Sequence, residues 1–195
     1  MSISENFTGL DNNKQKPQHH IFVLPLVSVT DPILKEPLGP CSADLDREDI
    51  ETKLNLAMVH YQGVGLSANQ IGISERVFIM YSDIKKKDAI TCFDPMITEY
   101  GEETIIMDEG CLTWPGLWLK VERPESFRCI YYDIDGELVQ VEMRGLEARI
   151  FQHEYDHMEG TNFTKRVSPL KLNMAKRRAA KMKKKSLLSM DYTKK

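Results

Sequence analysis

The residues with the clearest chemical meaning form the pentad His153-Glu154-Tyr155-Asp156-His157. Residues four apart in a helix lie on the same face, so both imidazoles of this pentad can bind one metal ion. Glu154, next to the first histidine, can then act as a general base toward a water molecule at that ion. The pentad alone does not identify the reaction, because several hydrolase families share it. The third metal ligand must distinguish them.

Two large classes of enzyme with this pentad take their third ligand from downstream, and neither pattern is complete here. A metzincin has a third histidine six residues after the second, and this position is Phe163. A thermolysin-like enzyme needs a glutamate on a later helix, and no glutamate follows Glu159. A third ligand must therefore come from upstream, or the pentad is accidental.

The best upstream candidate for the third ligand is Cys111. It follows Gly110 and precedes a Pro115-Gly116 turn, so the backbone can bend here and present the sulfur. Together with His153 and His157, the cysteine would form a set of three protein ligands that leaves a fourth position open to water. That is the pattern of catalytic metal sites, whereas structural sites are closed by four ligands. Metal binding would also hold the thiol as a thiolate.

A third segment of interest, residues 63–70, reads Gly-Val-Gly-Leu-Ser-Ala-Asn-Gln. Two glycines two residues apart let a backbone pass close to a ligand, and Gln70 offers a neutral amide donor. Taken alone, such a segment usually just caps a helix.

The elements that must position these residues predict an α+β fold. We expect antiparallel β-sheets packed around a central helix that carries the pentad, plus an N-terminal helix and a C-terminal helical tail. The N-terminal helix is predicted over residues 46–62 with Gly63 as its cap, the pentad helix from Gly145 to Gly160, and the last helix over 168–182. Strands are predicted at 76–81, 93–100, 102–107, 126–134 and 137–143, and Asp135-Gly136 joins the last two in a hairpin.

Length and composition indicate one globular catalytic domain over residues 1–167, of which 1–18 form a flexible arm, followed by a basic tail over 168–195. No apolar run approaches the roughly 20 residues of a membrane span, and the N-terminus lacks a secretory signal, so the cytoplasm is the expected compartment. The four cysteines contain no Cys-x-x-Cys pair and are expected to be free thiols.

Residues 161–195 hold 12 of the 26 lysines and arginines but only one of the 29 acidic residues. This asymmetry predicts contact with a polyanion such as RNA, with a solvated charged helix as an equal alternative.

The three segments, in this order, resemble the three signature motifs of peptide deformylases. Those motifs read Gly-x-Gly-Leu-Ala-Ala-x-Gln, Glu-Gly-Cys-Leu-Ser and Gln-His-Glu-x-Asp-His-Leu-x-Gly, and they match residues 63–70, 109–113 and 152–160. The departures are the modest changes Ser67, Thr113 and Met158. The similarity extends over residues 21–166. Trp118 stands where many bacterial members have an arginine that contacts substrate, which leaves peptide preference beyond the first residue unpredicted.

The resemblance implies a metallohydrolase that removes the formyl group from the N-terminal formyl-methionine of newly synthesised polypeptides and releases formate. It implies one divalent metal ion held by Cys111, His153 and His157, ferrous iron by preference, with zinc, nickel or cobalt as alternatives. Glu154 would move the proton from water to the departing amine. The Gln70 amide and the Leu112 backbone N–H would stabilise the oxyanion.

Further residues are assigned by the same resemblance. Glu109 and Asp156 are expected to orient metal ligands. The substrate would be held by Val64, Gly65, Trp114, Leu146 and Ile150. Core packing is an equal alternative for Ile150, and neighbouring Arg149 could as well face solvent.

The partners expected are formyl-methionyl nascent peptides and, through the basic tail, ribosomal RNA near the exit of the nascent chain. Neither DNA nor a membrane is expected as a partner. Two other functions stay open as alternatives: a minimal metalloprotease with the same metal ligands, and a basic-tailed RNA-binding module whose metal is structural.

Overall fold

The computed structural model describes residues 22–192, with side chains as far as Lys184. The arm predicted for residues 1–18 lies outside this range. The predicted α+β class is confirmed, since antiparallel sheets pack with three helices. No helix within the described residues is long and apolar enough to cross a membrane.

Within residues 22–192, seven strands form two antiparallel sheets. The larger sheet has five strands in the order β1-β2-β3-β6-β7, and the smaller one pairs β4 with β5. The strands are β1 (Gly65–Ser67), β2 (Val77–Asp83), β3 (Asp88–Tyr100), β4 (Thr104–Cys111), β5 (Trp114–Pro124), β6 (Ser126–Tyr132) and β7 (Leu138–Arg144). The predicted hairpin between β6 and β7 is confirmed, with Gly136 at a φ of 81° in its turn.

The described part of the chain has three α-helices: α1 (Arg47–His60), α2 (Gly145–Met158) and α3 (Pro169–Tyr192). Asp46 caps α1, because its side chain accepts a hydrogen bond from the Asp49 backbone N–H. Short 3₁₀ turns lie at Pro32–Leu34, Ala68–Ile71 and Phe163–Arg166. The last helix begins where predicted and extends ten residues beyond the predicted end at Met182.

Helix α2 is buried along most of its length, which makes it the centre of the fold as predicted. On the side that faces the larger sheet, Phe151 packs edge-on against Phe78 of β2 and at a tilt against Phe127 of β6. The ring centroids of these two pairs are 4.9 and 5.0 Å apart. The helix is therefore held firmly by the sheet, and the pentad is fixed with it.

Two local predictions were wrong. Gln62, rather than Gly63, takes the left-handed conformation after α1, with a φ of 57°. Gly63 then donates its backbone N–H to the Met58 carbonyl, as the second residue of a Schellman cap does. Strand β5 was not predicted, because Pro115 and Gly116 suggest a turn. An outer strand of a two-stranded sheet tolerates both residues.

Candidate metal centre and active-site cleft

A cleft of about 630 Å³ opens beside α2 and is lined by residues of β1, β4, β5 and α2. Most of the residues predicted for the site line this cleft, although they come from distant parts of the sequence. They are Val64, Gly65, Gln70, Glu109, Cys111, Leu112, Trp114, Leu146, Ile150, His153 and Glu154. His157 and Asp156 lie deeper on α2, where both are buried. The fold thus brings the three sequence segments together at one place.

The three predicted metal ligands lie together at the base of the cleft. One ligand atom from each of Cys111, His153 and His157 lies within 4.8 Å of the others. The Cys111 Sγ and the His157 Nε2 are 3.4 Å apart. Metal–ligand bonds of roughly 2.0–2.3 Å in a tetrahedral site place neighbouring ligand atoms about 3.5 Å apart, so the spacing fits one divalent ion.

The environment of His157 also suits a metal ligand. Burial, followed by the charges of His153 and Arg123, lowers the pKa of His157, which keeps the imidazole in the neutral form that a metal ion binds. The Trp114 ring stacks on it at a centroid distance of 6.2 Å, and packs edge-on against Phe163. Trp114 therefore helps to fix the His157 ring as well as to line the cleft.

Glu109 lies against the other histidine ligand. Its Oε2 atom is 3.0 Å from the His153 Nδ1 atom, which fixes that nitrogen as the hydrogen-bonding one and leaves Nε2 for a metal ion. Burial alone would raise the pKa of Glu109, but hydrogen bonds from Arg123 and His153 hold it well below its usual range. A permanently charged carboxylate at this place orients His153 and increases its basicity.

Asp156, which was predicted to orient metal ligands, forms no direct hydrogen bond or ion pair with one of the candidates. Its carboxylate contacts no ligand in the described part of the chain, and its partners are Arg123 and Arg166. The reason is geometric. Asp156 follows His153 by three residues on α2 and points toward the arginines, whereas Glu109 reaches His153 from β4.

Two buried arginines of the site were not predicted. Arg123 donates to both oxygens of Glu109 at 2.7 and 3.0 Å, and Arg149 donates to Glu109 Oε1 at 2.7 Å. Arg149, for which a solvent-facing position was open, is 4% exposed. One signal could have revealed Arg123, because it continues the inward-facing alternation of β5 after Leu117, Leu119 and Val121. A charge at an inward position requires a buried partner.

Glu154 is a buried carboxylate at the edge of the cleft. Its Oε2 atom has no hydrogen-bond partner among the described residues. Burial raises the pKa of Glu154 to about 7, although the charge of His153 opposes the change. A carboxylate with one free oxygen and a pKa near neutrality is suited to accept and return a proton.

Gly65 explains how the backbone of β1 can pass so close to Glu154. A Cβ atom at this position would lie 2.6 Å from Glu154 Oε1 and 2.9 Å from Ile150 Cγ2. Any larger residue would therefore displace the carboxylate. The close approach places the edge of β1 directly beside the catalytic candidate.

The Gln70 amide is held in a defined orientation next to Cys111. Its Oε1 atom accepts hydrogen bonds from the backbone N–H and the hydroxyl of Ser67, both at 3.0 Å. Its Nε2 atom donates to Cys111 Sγ at 3.3 Å and to Thr113 Oγ1 at 2.9 Å. Ser67 and Thr113, two of the departures from the family motifs, therefore both hold this amide. The donor side faces the metal ligands.

The remaining substrate candidates form an apolar wall of the cleft. Val64 and Leu146 are 43% and 50% exposed, whereas Ile150 is buried. Trp118 lies at the rim with 65% of its surface exposed. A Cβ atom on Gly110 would lie 3.2 Å from three atoms of the Trp118 indole, so the ring lies closely over this glycine.

Comparisons with known proteins agree with this site. Residues 23–173 match the family model of polypeptide deformylase. A peptide deformylase from Thermotoga sp. (strain RQ2) is 38% identical over 143 residues, which cover 72% of this chain and 85% of the relative. Solved structures of peptide deformylases also match this chain.

Several of the matching structures have a bound ligand, among them the following two. The peptide deformylase from Synechococcus elongatus in complex with actinonin has a TM-score of 0.75 and 30% identity, covering 80% of this chain and 88% of that one. The Met-Ala-Ser-bound enzyme from Acinetobacter baumannii has a TM-score of 0.69 and 32% identity, covering 75% and 99%. On the match to the family model and on the identity to a relative covered over most of its length, this chain belongs to the polypeptide deformylase family.

Proposed function

We propose that Cys111, His153 and His157 hold a ferrous ion, and that Glu154 is the acid–base residue with which this deformylase releases formate. Removal of the N-terminal formyl group by a metal-dependent hydrolase is the activity of the family to which the chain belongs. The observation that carries the residue assignment is the grouping of three ligand atoms within 4.8 Å beside a buried carboxylate with a free oxygen. Zinc, nickel and cobalt suit the same ligands.

The proton transfers follow from the position of Glu154. When bound, the metal ion acts as a Lewis acid on the formyl carbonyl and on the attacking water. Glu154 accepts the proton that this water loses and delivers it to the nitrogen of the departing amine. The pKa of about 7 lets the same carboxyl group accept and donate under neutral conditions.

Gln70 and Leu112 are proposed as the donors that stabilise the negative charge on the formyl oxygen. Both residues line the cleft, and Gln70 Nε2 is already directed toward Cys111. Ser67 holds the amide oxygen from the other side, so the Nε2 side of the amide stays toward Cys111. The N–H that points at Cys111 Sγ is the one that would turn to the formyl oxygen. Loss of one such donor typically costs about 10²–10³ in rate.

The methionine side chain is proposed to lie against Val64, Leu146, Ile150 and Trp114. Val64 and Leu146 expose apolar surface that a bound side chain would cover, and Ile150 forms the floor. Gly65 would leave the edge of β1 open to the peptide backbone. Substrates are proposed to be formyl-methionyl chains in the cytoplasm, consistent with the Met-Ala-Ser tripeptide bound to the Acinetobacter baumannii enzyme.

The direct test is an anaerobic assay of the iron-loaded protein with a formyl-methionyl peptide, in which formate and free amine are both measured. A minimal metalloprotease would instead cut an unformylated peptide internally. A basic-tailed RNA-binding module with a structural metal would release no formate and would bind RNA equally well after chelation.

We also propose that the basic tail contacts ribosomal RNA. Leu172 and Ala175 of α3 pack against the apolar cluster of β5, so the first turns of this helix belong to the body of the protein. Lys181, Lys183 and Lys184 lie further along and are exposed. Exposed basic side chains also occur earlier in α3, from Lys171 onward, so the surface available to a polyanion runs along the helix as far as Lys184.

Replacing Lys181, Lys183 and Lys184 together with glutamine should weaken ribosome binding without changing turnover of a short formyl peptide. Affinity falls as the salt concentration rises, and loss of three phosphate contacts makes this fall less steep. The slope of log affinity against log salt concentration should become smaller in magnitude by about 2–3. The measurement is co-sedimentation with ribosomes across a salt series. A triple replacement of the exposed acids Glu99, Glu102 and Glu103 is the control. Equal binding by the lysine variant and the wild type at low salt would refute the proposal.

A further inference from the structure

A chain of ion pairs runs from the surface, at the turn before α3, to the metal ligand His153. Arg166 forms two hydrogen bonds with Asp156, from Nε to Oδ2 at 3.1 Å and from Nη2 to Oδ1. Asp156 Oδ2 lies 2.9 Å from Arg123 Nη2, and Arg123 binds both oxygens of Glu109. Glu109 completes the chain at His153 Nδ1.

One nitrogen in this chain is shared between two carboxylates. Arg123 Nη2 is 3.0 Å from Glu109 Oε2 and 2.9 Å from Asp156 Oδ2. The same Glu109 oxygen lies 3.0 Å from the His153 ring. Nη2 has one hydrogen for each carboxylate, so a displacement of the guanidinium toward Asp156 would lengthen its bond to the Glu109 oxygen that orients His153.

Arg166 sets the strength of the pull of Asp156 on Arg123. Arg123, Glu109 and Asp156 are each 4% exposed or less, so their charges must be compensated by the groups that contact them. Arg149 is a second cation at Glu109, and Arg166 is a second cation at Asp156. Arg166 is the partner of Asp156 Oδ1 and shares Oδ2 with Arg123, and 46% of its side chain is exposed. Without Arg166, Asp156 keeps a full buried charge with Arg123 as its remaining cation. Arg123 would then shift toward Asp156.

The surroundings leave room for such a shift. Arg166, Asp156 and Arg123 line a second cleft of about 220 Å³, which adjoins α2 at Gln152 and Tyr155. Removing the guanidinium would enlarge this second cleft. It would not touch the walls of the active-site cleft, because Arg166 does not line that cleft.

We infer that Arg166 is a positioning residue for the metal centre, acting on His153 through Asp156, Arg123 and Glu109. The inference rests on the proposed role of His153 as a metal ligand. Helix α3 begins three residues after Arg166, so the start of this helix would be connected to the geometry of the metal site. None of the three family motifs includes Arg166, since the last of them ends at Gly160.

The test compares Arg166→Gln with Arg166→Lys and with Lys165→Gln. Lys165 is an exposed lysine in the same turn, and its replacement by glutamine removes the same charge. Cobalt affinity is measured by chelator competition on the full chain, and the cobalt–thiolate absorption spectrum is recorded. We expect Arg166→Gln to weaken cobalt binding by about 10-fold, because loss of a group that supports a ligand typically costs 10–100-fold. Arg166→Lys should recover most of the loss, and Lys165→Gln should bind as the wild type does.

Turnover separates positioning from substrate binding. We expect kcat of Arg166→Gln to fall with KM near the wild-type value, because the cleft walls are intact. Unchanged cobalt affinity and spectrum in both Arg166 variants would overturn the inference, and so would an equal loss in Lys165→Gln. Since cobalt binding is measured without substrate, it reports on this inference even if the protein releases no formate, an outcome that would overturn only the proposed function.

Discussion

Replacing Glu154 with glutamine should lower kcat for formate release by about 10²–10⁴-fold, the usual contribution of general acid–base catalysis. Glutamine keeps the volume and the close approach to Gly65 but cannot accept a proton. The metal content should stay at the wild-type level, because Glu154 is not among the three clustered ligands. The measurement is steady-state turnover together with the metal content of the same sample.

A matched control lies on the same helix. Glu147 is a half-buried carboxylate of α2 that does not line the active-site cleft. Glu147→Gln should therefore turn over substrate within a few-fold of the wild type. Turnover by Glu154→Gln as fast as by this control would remove Glu154 from the mechanism.

The second large effect is expected at the cysteine ligand. Cys111→Ser should weaken metal binding by more than about 10²-fold, since replacing even a supporting group costs up to that much. A serine hydroxyl is protonated at neutral pH and is a poor substitute for a thiolate. Formate release should fall in parallel with the bound metal, as measured by elemental analysis after dialysis.

Cys41→Ser is the control for this experiment. Cys41 is also half-buried and its thiol donates to the Arg76 carbonyl, a bond that a hydroxyl can replace. It lies outside the cleft that contains the predicted ligands. Full metal binding by Cys111→Ser would exclude Cys111 as a ligand, whatever the effect on turnover.

The parts of the site that could be predicted are those that local periodicity determines. His153 and His157 share a helix face because of their spacing alone, and the pattern of α2 also indicates which side is apolar. Cys111 could be chosen by residue type and by the absence of other ligands downstream. Its approach to His157, 46 residues away, depends on how β4 meets α2.

The charged groups beneath the ligands could not be predicted in the same way. Arg123 and Arg149 are 14 and 40 residues from Glu109, and neither lies in a motif with known chemistry. A buried arginine needs a carboxylate partner. Here the partner comes from another element of the fold, and only the tertiary structure shows which carboxylate reaches it. The partners of Asp156 could not be predicted for the same reason, because they come from β5 and from the turn before α3.

Strand β5 shows the same limit in the fold. Pro115 and Gly116 suggest a turn, and the charged residues that follow alternate with apolar ones over a short span. Pairing with β4 decides that the segment is extended, through a register that runs from Thr104 opposite Pro124 to Cys111 opposite Trp114. The pairing also brings Trp118 over Gly110, a contact that no local pattern indicates.

The most direct test of the central claim is product analysis with the anaerobically purified, iron-loaded protein and a formyl-Met-Ala-Ser peptide. We expect one formate and one free N-terminal amine per peptide, with the tripeptide otherwise intact, and with Glu154→Gln slower by at least about 10²-fold. Cleavage of an internal peptide bond, or formate release no faster than that of the Glu154→Gln variant, would contradict the assignment.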